Sequence, residues 1–143
     1  MTASNKGLGF EKIREGAMLP EYRIRMDRET YFAYNRLVNE INPLHFDKDY
    51  AVKLGFRDIV VAGVYTFSFI PKMIEDWAGE SGRICGIDIK YEHPIYVEET
   101  IVHKAYVKEK TSRHNRNYVA CEVSVEDSQG NRVTSAVVTI EFP

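Results

Sequence analysis

The chain has 143 residues, of which 44% are hydrophobic and 28% charged, the make-up of one ordinary globular domain with a core of its own. Its formal net charge of −2 offers no footprint for nucleic acid or an anionic membrane surface, so both are set aside as partners. Lys6, Lys12 and Arg14 interrupt the N-terminus and no apolar run could span a bilayer, so neither a signal peptide nor a membrane segment is expected and the cytoplasm is the expected location.

A single domain is expected over residues 1–143, with residues 1–19 as an irregular, glycine-containing lead-in ordered where Phe10, Ile13 and Leu19 touch the body. Tyr22, Ile24 and Met26 alternate with charges and predict a short strand. Asp27 is a good N-cap, with Glu29 in the first turn, for a helix over about 28–38 whose apolar positions are Tyr31, Tyr34 and Val38. Next comes Leu37-Val38-Asn39-Glu40-Ile41-Asn42-Pro43-Leu44-His45. Pro43 has no N–H and pushes Asn42 towards an extended backbone, so the helix should stop here and leave Glu40 and His45 on a loop. A carboxylate and an imidazole that converge there can hold a water and move its proton both ways.

Asp47 can cap a second short helix through Ala51 and Leu54, ended by Gly55. Residues 59–63 read as a brief extended run. A long helix should open at or just after Gly63, because Tyr65, Phe69, Met73 and Trp77 recur every fourth residue with Ile70 and Ile74 beside them. Pro71 should kink it and Gly79 end it. After Gly82 the period becomes two. Cys85, Ile87, Ile89 and Tyr91 form one alternating set; Ile101, Ala105 and Val107 a second; Val119, Cys121, Val123 and Val125 a third; Ala136, Val138, Ile140 and Phe142 the last. Lys110 to Asn117 and Ser128 to Asn131 read as hairpin connections. The class is α+β, an antiparallel sheet wrapped around one strongly apolar helix. Cys85 and Cys121 are expected as buried free thiols, and with no metal-ligand spacing neither metal nor cofactor is expected.

Asn39-Glu40-Ile41-Asn42-Pro43-Leu44-His45, with Asp47, Ala51 and Gly55-Phe56 behind it and the Val61-Ala62-Gly63-Val64 turn further on, resembles the hydratase motif of the MaoC-like family. The resemblance extends loosely from Pro20 to Pro143. It implies a single hot-dog domain, an antiparallel sheet around a long central helix. It further implies reversible hydration of trans-2-enoyl thioesters to 3-hydroxyacyl thioesters, on CoA or a carrier protein. Glu40 and His45 would carry the proton chemistry, the Gly63 N–H would receive the thioester oxygen, and Asn42 and Tyr65 are the candidate substrate contacts, Asn42 reading first as a residue that fixes the loop. The family usually has Gly-Asp where this chain has Asn39-Glu40, and often a histidine where it has Ala62. Two other readings stay open, a non-catalytic acyl-CoA-binding subunit of a hot-dog heteromer and a hot-dog thioesterase. A homodimer is expected, with a heteromer as the alternative.

Overall fold

The computed structural model describes residues 9–143; residues 1–8 of the expected lead-in, Lys6 and Gly7 among them, lie outside that range. Strand β1 (Tyr22–Arg25) leads into helix α1 (Arg28–Val38). The Asp27 carboxylate starts α1 by accepting from the Thr30 N–H at 3.0 Å, and Asn39 ends it in the left-handed region at φ 57°, a conformation asparagine tolerates better than most residues. Asn35, 7% exposed, and Tyr31, fully buried, form the inward stripe of α1, while Val38 stands half in solvent. Asp47 caps α2 (Lys48–Lys53) through the Tyr50 N–H.

The long apolar helix is two pieces, α3 (Gly63–Phe67) and α4 (Phe69–Ala78), broken at Ser68. Pro71 accounts for the position of the break. It cannot donate to the carbonyl four residues back, that of Phe67, and its ring crowds that carbonyl. The kink therefore falls one turn upstream, where the Ser68 hydroxyl takes up the Tyr65 carbonyl at 2.6 Å. Ile70, Met73, Ile74 and Ala78 of α4 are buried.

Four further strands complete the sheet: β2 (Arg83–Tyr91), β3 (Thr100–Arg113), β4 (Arg116–Glu126) and β5 (Arg132–Phe142). Their order is β1-β3-β4-β5-β2, with every pairing antiparallel. The β3–β4 hairpin is tighter than the expected Lys110–Asn117 connection. Its strands meet at Arg113 and Arg116, and only His114 and Asn115 turn, both at positive φ (53° and 62°), the backbone that matches strand twist. The alternating residues Val119, Cys121, Val123 and Val125 of β4 and Ala136, Val138, Ile140 and Phe142 of β5 are buried. Each such aliphatic side chain contributes about 1.5–3 kcal/mol by leaving water. This curled sheet around a central helix is the architecture that the alternation and the one apolar helix imply.

Two details depart from the sequence reading. Cys85 is exposed, because the register of β2 against β5 shifts between Ile84 and Gly86 and turns it out of the alternation. Cys121 is buried, and burial pushes its thiol up to about 12. The described part of the lead-in also does more than touch the body. Gly16 and Leu19 donate to the carbonyls of Val107 and Ala105 at 2.7 and 3.0 Å, and Val107 donates to Ala17 at 2.9 Å, so the segment runs along β3. Among the described residues no helix is long and apolar enough to cross a membrane.

Candidate active site

His45 closes a 3-10 turn (Pro43–His45) that Asn42 opens by accepting the Leu44 N–H on its side-chain oxygen at 3.1 Å. Proline suits this turn, since its missing N–H would have had no partner in the first position. Asn42 is thus committed to the loop. The His45 Nδ1 lies 2.8 Å from the Val60 carbonyl. A carbonyl can only accept, so in the neutral ring Nδ1 carries the proton and Nε2 keeps a lone pair.

The backbone of His45 is held as firmly as the ring. Its carbonyl accepts from the Tyr31 hydroxyl at 2.9 Å and the Asn35 amide at 3.1 Å, while the Tyr31 oxygen accepts the Ala62 N–H at 2.9 Å. One phenol from α1 therefore ties the His45 loop to the residue before Gly63. Burial pushes the Tyr31 phenol up, so it stays protonated as a donor. Val60 is placed by its own short pairing. The Val60 N–H donates to Leu44 at 3.2 Å, and Val61 donates to Ile95 at 2.7 Å.

Gly63 is the first residue of α3, where a backbone N–H has no acceptor within the helix. Its carbonyl accepts from the Thr66 hydroxyl and the Tyr91 hydroxyl, both at 3.0 Å. A Cβ at this position would lie 3.0 Å from the Tyr91 ring. The close approach that glycine permits here is thus the approach of Tyr91. His45 and Gly63 share one cavity of about 360 Å³ with Thr66, Tyr91 and Thr134.

Glu40 borders a different opening, about 340 Å³, between Phe32, Asn35 and Phe46. One of its oxygens accepts the Asn42 N–H at 2.9 Å. Among the described residues no hydrogen bond joins Glu40 to the His45 ring. Tyr65 packs between Tyr31, Tyr34 and Phe69, ring centroids 4.9 to 5.3 Å away, and is 8% exposed. The structure thus brings His45 and Gly63 together, puts Glu40 at a separate opening lined by Asn35, and places Asn42 and Tyr65 in structural contacts. Among the described residues no three His, Cys, Asp or Glu side chains gather as a metal site.

Sequence reasoning passed over Tyr31, Asn35, Tyr91 and Thr134. The available signal was a polar residue in an apolar register: Asn35 four residues after Tyr31, and Thr134 two before Ala136 on the inner face of β5. His103 shares that kind of position on β3. It is fully buried, its Nδ1 lies 3.1 Å from the Tyr22 carbonyl, and burial lowers its pKa, which keeps it neutral.

A family profile described as "MaoC like domain" matches residues 10–129. The chain is 26% identical over 122 residues to the 3-oxo-4,17-pregnadiene-20-carboxyl-CoA hydratase beta subunit of Mycobacterium tuberculosis, covering 85% of this chain and 92% of that one. It is 28% identical over 124 residues to a mitochondrial 3-hydroxyacyl-[acyl-carrier-protein] dehydratase of Solanum lycopersicum, covering 86% and 72%. Its fold matches that of the (R)-hydratase from A. caviae involved in PHA biosynthesis, with a TM-score of 0.81 at 16% identity over 93% of this chain and 99% of that one.

Proposed function

The chain belongs to the MaoC-like domain family, a hot-dog family of hydratases and dehydratases, and from that premise we propose that it reversibly hydrates trans-2-enoyl thioesters to 3-hydroxyacyl thioesters. The observation that carries this reading is the pairing of His45 and Gly63 in one cavity, with Nδ1 engaged by Val60 and Nε2 left as a base.

Water addition to an enoyl thioester forms a C–O bond at the β-carbon and a C–H bond at the α-carbon, with no net proton gained or lost. The His45 Nε2 is the group able to take the water proton. As oxygen adds, negative charge moves to the thioester carbonyl, which the Gly63 N–H is suited to receive. For Glu40 to be the second proton-handling group, its carboxylate, anchored at one oxygen by the Asn42 N–H, has to turn its other oxygen from its own opening towards the His45 cavity. The pair then returns a proton to the α-carbon; dehydration is the same path reversed.

A second reading has its own support. Glu40 replaces the family's usual aspartate and borders a separate opening, and a relative of 26% identity is named as a beta subunit. A chain of this kind would bind an acyl thioester beside a catalytic partner. Incubation with crotonyl-CoA separates these readings. Loss of enoyl absorbance without free thiol supports the hydratase; free thiol signals a thioesterase; binding without either change favours the subunit. In an active protein, Glu40→Gln and His45→Ala should each lower turnover about 10²–10⁴-fold, and the double variant should be little worse, as for groups that hold one water. Near wild-type turnover in both singles would overturn the mechanism.

A further inference from the structure

Thr134 is 3% exposed, lines the cavity that contains His45 and Gly63, and its hydroxyl has no hydrogen-bond partner among the described residues. It stands at the start of β5, opposite Tyr91 of β2 and Val125 of β4, in register with the buried residues Ala136, Val138 and Ile140. The positions that follow it on this face are apolar, and valine would fill the same volume. A buried hydroxyl with nothing to bond is costly, and such groups in native proteins are usually satisfied by something. Several other polar side chains of the cavity, which Glu92 and His93 also line, are already committed, Glu92 to Arg132 at 2.7 Å. Thr66 and Tyr91 both donate to the Gly63 carbonyl, and the His45 Nδ1 to Val60. That leaves the Gly63 N–H, the His45 Nε2 and the Thr134 hydroxyl, whose oxygen is buried in the cavity wall, to meet a ligand.

We propose that Thr134 is a specificity-determining residue that hydrogen-bonds the oxygen on the β-carbon of a 3-hydroxyacyl thioester while the His45 Nε2 accepts a hydrogen bond from that hydroxyl. The inference rests on the hydratase reading above and names the group within it that tells a hydroxylated acyl chain from a saturated one. A hydroxyl both donates and accepts, so Thr134 can donate to the 3-hydroxyl of the product and accept the second hydrogen of the water in the opposite direction. A site built to bond an oxygen rejects the analogue lacking it, because its own polar group is then left unpaired.

The test is equilibrium binding of 3-hydroxybutyryl-CoA and of butyryl-CoA to the wild type, Thr134→Val and Thr134→Ser, with the melting temperature of each unliganded protein alongside. Thr134→Val should weaken the hydroxyacyl ligand about tenfold and leave the saturated one unchanged, with Thr134→Ser keeping the preference. The melting temperature of Thr134→Val should hold or rise, since an apolar group replaces an unpaired hydroxyl; a hydroxyl with a structural role would make it fall. Equal weakening of both ligands, no weakening of either, or a lower melting temperature with unchanged preference overturns the proposal. If the wild type turns over crotonyl-CoA and any of these is seen, this inference alone is lost. If the wild type binds neither thioester, the hydratase reading falls and takes the inference with it.

Discussion

His45 is held from three directions, through its ring by Val60 and through its carbonyl by Tyr31 and Asn35. Removing one tether while keeping the shape tests how much of the site's order each supplies. Tyr31→Phe leaves the Ala62 N–H and the His45 carbonyl short of a buried partner, so it should cost about 1–3 kcal/mol in a denaturant titration. It should also lower turnover, because both sides of the site hang on that phenol. Gly63→Ala acts differently. The new methyl meets the half-exposed ring of Tyr91, so the protein should fold with Tyr91 displaced and turnover reduced by roughly tenfold or more. Gly63→Ala with Tyr91→Ala should regain activity if crowding is the cause. His103 supplies a pH dependence of known sign. Burial lowers its pKa, so below the ordinary histidine range near 6.5 the unfolded chain binds a proton that the native chain refuses. Stability should be full above about pH 6.5 and fall as pH drops below it; replacing His103 by Phe should flatten that part of the melting curve against pH.

At the level of elements, the strands and capped helices were legible because each depends on a local pattern. Asp27 and Asp47 cap where their spacing said, and β4 from Val119 and β5 from Thr134 keep a period of two. The failures share a physical cause. Pro71 acts on a carbonyl four residues back, so its effect surfaces at Ser68 and not at the proline. A bulge leaves no mark in the alternation of residue types, so Cys85 looked buried. The pairing of residues 16–19 with β3 uses backbone groups, which have no periodicity to read. The same holds for the site. The Asn-Pro-Leu-His run and the Val-Ala-Gly-Val turn pointed to His45 and Gly63, whereas Tyr31, Tyr91 and Thr134 come from elements whose meeting only the fold decides. Gly82 joins the end of the helical layer to β2 and shows how close that meeting is. A Cβ there would lie 2.7 Å from the Ala78 Cβ and 3.0 Å from Ile140. Gly82→Ala should therefore overpack the joint and cost about 1–3 kcal/mol, read as a lower denaturation midpoint at constant slope.

Among the described residues the nine-residue strand β2 is an edge of the sheet with one side unpaired. The molecule as a whole also carries exposed apolar side chains around the loop after α1, Leu37 at 85% and Ile41 at 84%. An open edge and apolar surface are both reasons for a chain to associate. The expectation is a homodimer, with a heteromer as the alternative. Light scattering at micromolar concentration should give twice the chain mass of 16.5 kDa; a value near one chain would count against the homodimer.

The bulge in β2 has a practical consequence, because it divides the two cysteines into an outer and an inner one. Cys85 stands in solvent, while Cys121 lies within the core on β4. A thiol reagent added to the native protein should modify Cys85 promptly and reach Cys121 only when the sheet opens. The first modification is a site for a fluorophore on the edge strand. The second is a clock: its rate, followed by mass, reports how often this core comes apart under conditions where no denaturant has been added.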